Sequence, residues 1–526
     1  MSLIAVSIQV ADPAHVGDAI DAAARAGSEG AQLVEWRVDG LCEDEAGFQA
    51  CRVLVEQATL PCILTCRIAE EGGDCFGVEP DRVGLIRSLA ESGVIPRYID
   101  IESSAWGHDR DLRAAVGALL SAGDCGLILS THDFEGRPAD LARRLDVMWA
   151  EDDVSVVKAA WRARSIRDSL EAFDLLTDAA GPMIVLCMDR FGVMTRVLTA
   201  KFGGLLTFAS AEANAETAPG QPTVAALRDL YRFDSITPAT KVYGIVGDPV
   251  AHSQSPRLHN AGFSSCGFDG VLVPMPVVEG WESFKASVAS MLEQPGFDLA
   301  GLCVTSPHKS NLVRFVEEVG GTLTPIVHRC GAANTMVVMP DGTLVADNTD
   351  ARGFVEPLAA VMELKGARVA VLGAGGAARA AVAGLLQAGA EVVIYNRSQD
   401  RAEALVQHIR SAFEEPVSLE VGTGTPTKAD CFSALVNTTT VGMQGGPDPD
   451  GSPLVALGGD VDMLSDGLVV FESVYAPRRT PLVIEAEQRG AKVITGEAMF
   501  LAQAAVQFRT WTGQDAPQDA WRSLLG

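Results

Sequence analysis

The chain has 526 residues, 48% of them hydrophobic, with a formal net charge of −27 and a pI near 4.7. Such a length exceeds what one core fills and, at roughly 150 residues per unit, predicts about three units. The negative charge opposes nucleic acid and anionic membranes as partners, so any anionic substrate has to be held by local arginine or lysine clusters.

From residue 1 to about 230 one pattern repeats eight times: a short apolar, β-branched run followed by a helical stretch. The runs are LIAVSIQV (3–10), AQLVEWRV (31–38), PCILTCR (61–67), RYIDIE (97–102), CGLILST (125–131), VSVVKA (154–159), PMIVLCM (182–188) and GGLLTF (203–208). Strands of this length alternating with helices predict a closed (β/α)8 barrel. Chemistry-bearing residues sit where the runs end: Glu35 and Arg37, Arg67 with Glu71 beyond it, Glu102, His132, Lys158, and Arg196 after the seventh. Barrel enzymes carry their catalytic groups at the C-terminal ends of strands, so these residues are expected at one mouth.

Taken singly, each has an ordinary structural use. Lys158 can snorkel, His132 can cap a loop, and the arginines can be paired on the surface. A lysine inside the apolar strand end VSVVKA is harder to place that way. Nearby guanidinium groups and partial burial are expected to favour its free amine, which attacks a ketone to give an imine. Lysine, histidine and arginines together predict Schiff-base chemistry on a carboxylated keto compound.

Six segments carry a resemblance: EWRVD (35–39), RIAEEGG (67–73), STHDF (130–134), Lys158, GVMTR (192–196) and APGQ (218–221). On these, the first half resembles the type I 3-dehydroquinate dehydratases. The resemblance implies that Lys158 forms the imine, that His132 is the general acid and base, and that Glu71 orients it. It further implies that Arg196 grips the substrate carboxylate as a fork, while Glu35, Arg37, Arg67 and Gln221 hold hydroxyls and ring. Thr217 departs from the usual serine of the lid segment but keeps a hydroxyl.

YRFDSITPAT (231–240) is short and polar with one proline, which predicts a linker too short for large independent motion. A second α/β pattern follows with KVYGIVG (241–247), GVLVPMPV (270–277) and LAGLCVTS (299–306), and a doubly wound region begins near 351. There, RVAVLGAGGAARAAVAGLL is a strand running into Gly373, Gly375 and Ala378 and then a helix. This G-x-G-x-x-A in a strand-turn-helix context predicts a dinucleotide site, because glycines admit the pyrophosphate and the helix N-terminus stabilises its charge. The next strand, EVVIY, ends in Asn396, Arg397 and Ser398 instead of an acidic ribose ligand, which favours NADP over NAD; Arg397 as a plain surface charge is the alternative. Ser253 and Ser255, Thr305 with Lys309, Asn334, and Asn348 with Asp350 form further polar clusters ahead of this loop. Turn serines and a helix-capping Asp350 are the ordinary readings. Beside a dinucleotide loop, Lys309 and Asp350 instead predict an acid/base pair for moving a proton at an alcohol oxygen.

GDPVAHSQSP (247–256), VTSPHK (304–309), GAANT (331–335), DNTD (347–350), GAGGAAR (373–379), NRS (396–398) and EAMFLAQAA (497–505) resemble the shikimate dehydrogenases from about 240 to the end. That resemblance implies shikimate carboxylate binding by Ser253 and Ser255, catalysis by Lys309 and Asp350, and substrate contacts from Thr305, Asn334, Tyr475 and Gln503. It assigns the nucleotide to Gly373, Gly375, Gly376, Ala377, Asn396, Arg397, Ser398, Thr440 and Gly496. Cys303 and Glu472 depart from the usual Asn and Asp. Ser255 in place of a threonine leans towards shikimate over quinate.

The expected architecture is therefore a (β/α)8 barrel (1–231), an α/β substrate domain (240–350, completed by helices at about 497–526) and a Rossmann NADP domain (351–496). The two resemblances imply consecutive steps, since 3-dehydroshikimate leaves the first and enters the second. A quinate- or NAD-preferring second half is one alternative, and a non-catalytic sensor or repressor another; the four residues Lys158, His132, Lys309 and Asp350 and the absence of a basic module speak against the latter. Cys62 and Cys66 are the nearest cysteine pair and have no matching second pair, so neither zinc nor a disulfide framework is expected. With no basic leader in MSLIAVSIQVADP and no apolar run near ~18 residues, the expectation is a soluble, cytoplasmic monomer or homodimer acting on small molecules.

Overall fold

The computed structural model describes residues 2–75, 79–212, 217, 220–251, 253–459 and 461–525. Its first sheet consists of β1 (Leu3–Gln9), β2 (Leu33–Arg37), β3 (Cys62–Thr65), β4 (Tyr98–Glu102), β5 (Gly126–Asp133), β6 (Val154–Arg162), β7 (Met183–Met188) and β8 (Leu206–Ser210). The strands are parallel in the order β7-β6-β5-β4-β3-β2-β1-β8. The two ends meet where the Leu205 N–H donates to the Met183 carbonyl at 2.8 Å, which brings the sheet round into a barrel.

Side chains alternate across a strand, so Leu33, Glu35 and Arg37 share one face, as do Tyr98, Asp100 and Glu102, and Ile128, Ser130 and His132. The apolar members, including Leu33, Ile63, Ile128, Val156, Ile184 and Leu206, pack together within the barrel. The polar members follow towards the C-terminal ends, where the register sets Thr65 beside Asp100, Glu102 beside Ser130, and Ser130 beside Lys158. One apolar plug thus supports one polar mouth.

The segment expected to be a polar linker is docked. Tyr231, Phe233 and Ile236 are buried, and Arg232, in a left-handed conformation (φ 57°), donates to the carbonyls of Phe268 and Gly270. The apolar residues between the charges in YRFDSI supply that anchorage. Nearby, Phe173 stacks on Phe202 with centroids 4.1 Å apart and reaches Phe297 at 5.9 Å, while the Lys201 Nζ donates to Pro238, Thr240 and Asp298. The barrel and the next unit therefore share a packed seam.

That unit is built on β9 (Lys241–Gly247), β10 (Gly270–Pro276), β11 (Leu299–Val304), β12 (Thr322–Leu323), β13 (Thr335–Val338) and β14 (Leu344–Asp347), ordered β10-β9-β11-β13-β14-β12 with β13 antiparallel to its neighbours. The last sheet contains β15 (Arg368–Leu372), β16 (Glu391–Tyr395), β17 (Leu419–Val421), β18 (Ala434–Asn437), β19 (Val469–Glu472) and β20 (Lys492–Ile494). Its order, β17-β16-β15-β18-β19-β20, reverses direction between β15 and β18, and ligands bind doubly wound sheets outside the carboxyl ends at such a point. The helix Gly496–Thr512 then returns to the middle sheet, where Trp511 Nε1 donates to the Met336 carbonyl and Phe508, Trp511 and Trp521 pack on Tyr243 and Phe263.

Candidate active sites

Of the ten residues singled out in the first half, nine, Glu35, Arg37, Arg67, Glu71, His132, Lys158, Arg196, Thr217 and Gln221, line one cavity at the barrel mouth, while Glu102 is buried beneath it between Arg67 and Arg82. Lys158, 5% exposed, donates from Nζ to Asp100 Oδ2 at 2.8 Å and to Glu35 Oε1 at 3.4 Å, and lies 4.5 Å from the Phe208 ring centre. This corrects the expectation of guanidinium surroundings, because the groups bonded to the amine are carboxylates. The arginine lies one layer away: Arg67 pairs with Asp100 and Glu102, both at 3.0 Å, and donates to Ser130. Burial opposes the charge on Asp100, yet Arg67 and Lys158 prevail and hold its carboxyl well below the usual range. The same contest, won by Lys158 and Arg37, lowers Glu35.

His132 faces Glu71, with Nδ1 3.0 Å from Oε2, and its backbone N–H donates to the same oxygen at 2.9 Å. Ser104 binds the other oxygen of Glu71 at 3.0 Å. Burial, reinforced by Arg67 and Lys158, holds His132 well below the ordinary imidazole value and so keeps it neutral and able to accept a proton. Burial pushes Glu71 up to about 7. Arg196 enters from the helix Val193–Leu198. Thr217 donates through both its backbone N–H and its hydroxyl to Gln221 Oε1, at 3.1 and 3.2 Å, so the departure from serine keeps a working hydroxyl. Ala218 and Pro219 of the APGQ motif, and His252 of the serine-rich loop, lie outside the described residues.

Asp100 was missed by the sequence reading. Its signal was available: in RYIDIE it stands two residues before Glu102 and so on the same inward face. Asp39 was missed likewise; its carboxylate binds Arg37 and the backbone N–H groups of Arg67 and Asp74, which fixes the turn carrying Arg67.

In the second half Lys309 and Asp350 meet at 2.5 Å, each at the start of a helix, Lys309–Glu318 and Asp350–Ala359. Asn334 donates to Asp350 Oδ1 at 2.8 Å and to Thr349, which in turn reaches Gln503 Oε1 at 3.2 Å. Ser253 Oγ accepts from the Ser255 N–H at 3.2 Å. Thr305 directly follows β11, its N–H on the Val246 carbonyl. Asn348 has a structural task, tying its amide to the Ala332 carbonyl at 2.8 Å. Tyr475, 46% exposed, stacks on Phe500 and stands three residues after Glu472. Glu472 is fully buried and accepts from Asn437, the Val474 N–H and Thr480; burial outweighs these bonds and pushes it up to about 7.

The glycine loop fits a dinucleotide. Gly373 has φ +112° and an added Cβ would meet Thr438 Oγ1 at 2.6 Å, whereas an added Cβ at Gly375 meets nothing within 4 Å, leaving space at the start of the helix Gly376–Gln387. An added Cβ at Gly376 would lie 3.4 Å from Lys309 Cδ, so the loop adjoins the catalytic candidates of the middle sheet. Ala377 is in the first turn of that helix, and Thr440 is exposed beyond the carboxyl end of β18. Arg397 is exposed past β16, next to Asn396, whose amide donates to the Ser398 carbonyl at 2.8 Å. Gly496 permits close packing, since a Cβ there would stand 2.5 Å from the Val474 carbonyl.

Four protein families match successive segments of the chain. The type I 3-dehydroquinase family matches residues 4–238, the shikimate dehydrogenase substrate binding domain 245–336, the shikimate/quinate 5-dehydrogenase family 358–431, and the shikimate 5'-dehydrogenase C-terminal domain 496–525. A chloroplastic bifunctional 3-dehydroquinate dehydratase/shikimate dehydrogenase of Arabidopsis thaliana is 34% identical over 514 residues, covering 94% of this chain and 80% of that protein. The chain belongs to the bifunctional 3-dehydroquinate dehydratase/shikimate dehydrogenase family. Within this family's second half, a shikimate dehydrogenase (NADP(+)) of Methanothermobacter thermautotrophicus is 38% identical, covering 55% of this chain and 97% of that one. The solved dehydroquinate dehydratase and shikimate dehydrogenase of S. pombe covers 100% of this chain, itself covered to 98%, at 23% identity and a TM-score of 0.44.

Proposed function

We propose that the barrel mouth and the Lys309 site divide the family's two reactions between them, with Lys158 and Lys309 as the two working amines. The protein is a bifunctional enzyme that dehydrates 3-dehydroquinate to 3-dehydroshikimate and reduces the product to shikimate with NADPH. The observation that carries the assignment is geometric: two lysines, each bonded to an aspartate, stand in separate sites, one inside the barrel and one beside a dinucleotide loop.

In the barrel, the Lys158 amine attacks the C3 ketone and water leaves, giving an iminium whose charge is held by Asp100 and Glu35. The cation acidifies C2, and neutral His132, oriented through Nδ1 by Glu71, takes that proton. The enamine then expels the C1 hydroxyl, His132 returns the proton to make water, and hydrolysis of the imine frees Lys158. Arg196 fixes the substrate carboxylate, while Arg37, Arg67 and the Thr217–Gln221 pair hold the ring hydroxyls.

In the second site, Ser253 and Ser255 receive the carboxylate, and Thr305, Asn334, Tyr475 and Gln503 close around the ring. Lys309, held by Asp350, donates a proton to the ketone oxygen as it becomes a hydroxyl. When bound in its reduced form, NADP would supply the hydride that the carbon receives. Gly373, Gly375, Gly376 and Ala377 would leave room for its pyrophosphate at a helix N-terminus, Asn396, Arg397 and Ser398 would hold the 2′-phosphate, and Thr440 and Gly496 would supply further nucleotide contacts. The units are assigned as 1–231, 240–350 with 497–526, and 351–496. Eleven cysteines without a disulfide framework favour a reducing, cytoplasmic setting, and the charge of −27 disfavours nucleic acid and membrane partners for a monomer or homodimer.

Borohydride trapping tests the assignment. Reduction in the presence of 3-dehydroquinate is expected to attach the substrate skeleton to Lys158, stop dehydration and leave NADPH-dependent reduction of 3-dehydroshikimate intact. Label on another lysine, or no label, contradicts it.

A further inference from the structure

Three cysteines far apart in sequence meet behind the dehydratase mouth. Cys42 follows β2, Cys66 follows β3, and Cys75 lies past the Arg67–Glu71 turn, bridged back to Ile68. Their sulfurs all lie within 4.8 Å of one another, and Cys42 Sγ is 3.3 Å from Cys75 Sγ. Among the described residues this is the one group of three or more Cys, His, Asp or Glu side chains placed to share an ion. Sequence spacing hid it, because the nearest pair along the chain, Cys62 and Cys66, is not the pair that the fold brings together.

The chemistry of the pocket selects its guest. Three sulfur donors call for a soft, thiophilic centre. Structural zinc takes four ligands, and the neighbouring Asp39 carboxylate is already bound to Arg37 and to the N–H groups of Arg67 and Asp74. Three bonds of about 2.3 Å, the length of a zinc–thiolate bond, at near-right angles set sulfurs roughly 3.3 Å apart. That is the separation already present between Cys42 and Cys75, and near-right angles belong to a trivalent centre with a lone pair. Charge points the same way. Monovalent or divalent ions leave net negative charge on three thiolates, two of them buried and the third half-buried, whereas a trivalent centre leaves none.

We propose that Cys42, Cys66 and Cys75 form a binding site for a trivalent thiophilic metalloid of the arsenous acid class. Three As–S bonds form as three As–O bonds break, the three thiol protons leave with the hydroxides as water, and nothing is oxidised or reduced. Occupancy ties the turn after β2 to the turn that carries Arg67 and Glu71. Given the role assigned above to those two residues, filling the site lowers dehydration and spares the dehydrogenase, whose residues lie on other sheets.

The test uses the full-length, reduced chain with sodium arsenite, read by native mass spectrometry and by both activities. One arsenic per chain is expected, with loss of at least tenfold in affinity for Cys42→Ser, Cys66→Ser and Cys75→Ser and no change for Cys431→Ser. Dehydration is expected to fall in step with occupancy while 3-dehydroshikimate reduction stays constant; dehydration by each variant without arsenite reports that its barrel has folded. Should a serine variant misfold, protection of the three native thiols from iodoacetamide by arsenite gives the same reading without substitution. Undiminished binding by Cys66→Ser, no protection, or tighter retention of zinc(II) or copper(I) than of arsenite overturns the proposal. Arsenic bound with dehydration unchanged overturns the coupling. Stoichiometry by mass needs neither activity, so failure of the functional assignment leaves this measurement readable.

Discussion

The two lysines occupy opposite kinds of surroundings. Lys158 has a side chain 6% exposed, bonded to two carboxylates that are themselves tied to Arg67, Thr65 and Ser130. Lys309 is 20% exposed, bonded to Asp350, and stands where the middle sheet meets the nucleotide loop. A lysine that becomes an iminium keeps its positive charge through the covalent phase, so its countercharges have to be fixed in advance. A lysine that passes one proton to an oxygen needs one partner and an open side. The difference teaches that the barrel site is built as a rigid ionic layer, and the second site as a junction.

The sharpest way to break that contrast is to remove each amine. Lys158→Ala is expected to lower dehydration by roughly 10⁵-fold, because the covalent route is lost. Lys309→Ala is expected to lower reduction by about 10²–10⁴-fold, the share of a positioned proton donor. Separate steady-state assays of the two steps on each variant check this, and each variant should retain the other activity.

Next in size is the ionic layer itself. Asp100→Asn leaves Arg67 and Lys158 short of a buried countercharge and is expected to cost about 3–5 kcal/mol in the barrel's denaturant unfolding. Asp350→Asn, at the more open junction, is expected to cost less than half of that while reducing turnover at the second site.

Nucleotide choice follows. Arg397→Ala is expected to raise the KM for NADPH by about 10-fold, as one charge-assisted phosphate contact is lost, with the KM for NADH unchanged.

The smallest effect is a pH dependence. Glu472 is raised to about 7 in the folded protein, so the folded state binds its proton more tightly than the unfolded chain does. Its contribution is fully present below the unfolded carboxyl value and is lost as pH rises through about 7. Glu472→Gln is therefore expected to flatten the fall in stability between about pH 5 and pH 8 by roughly 1–2 kcal/mol, measured by urea unfolding at both values.

Much of this was legible in the sequence because it is local. KVYGIVG and EVVIY became strands with the predicted ends, and of the eight barrel residues chosen at or beyond strand ends all but Glu102 line one cavity. What was not legible depends on pairing across the fold. Asp100 was hidden beside Glu102 because apolar runs in parallel strands mask the inward-facing alternation. The surroundings of Lys158 were misread because register across β4, β5 and β6, which no single segment encodes, brings carboxylates to the amine before guanidinium groups. The linker was misread because its polarity was averaged, while three of its side chains, Tyr231, Phe233 and Ile236, are anchors.

The central claim is that one chain carries both reactions at two separate lysines. Purified protein supplied with 3-dehydroquinate and NADPH alone, followed by nicotinamide absorbance and product identification, tests it most directly. Shikimate is the predicted product, with Lys158→Ala restored by adding 3-dehydroshikimate and Lys309→Ala not. Failure to oxidise NADPH with either substrate would contradict the account.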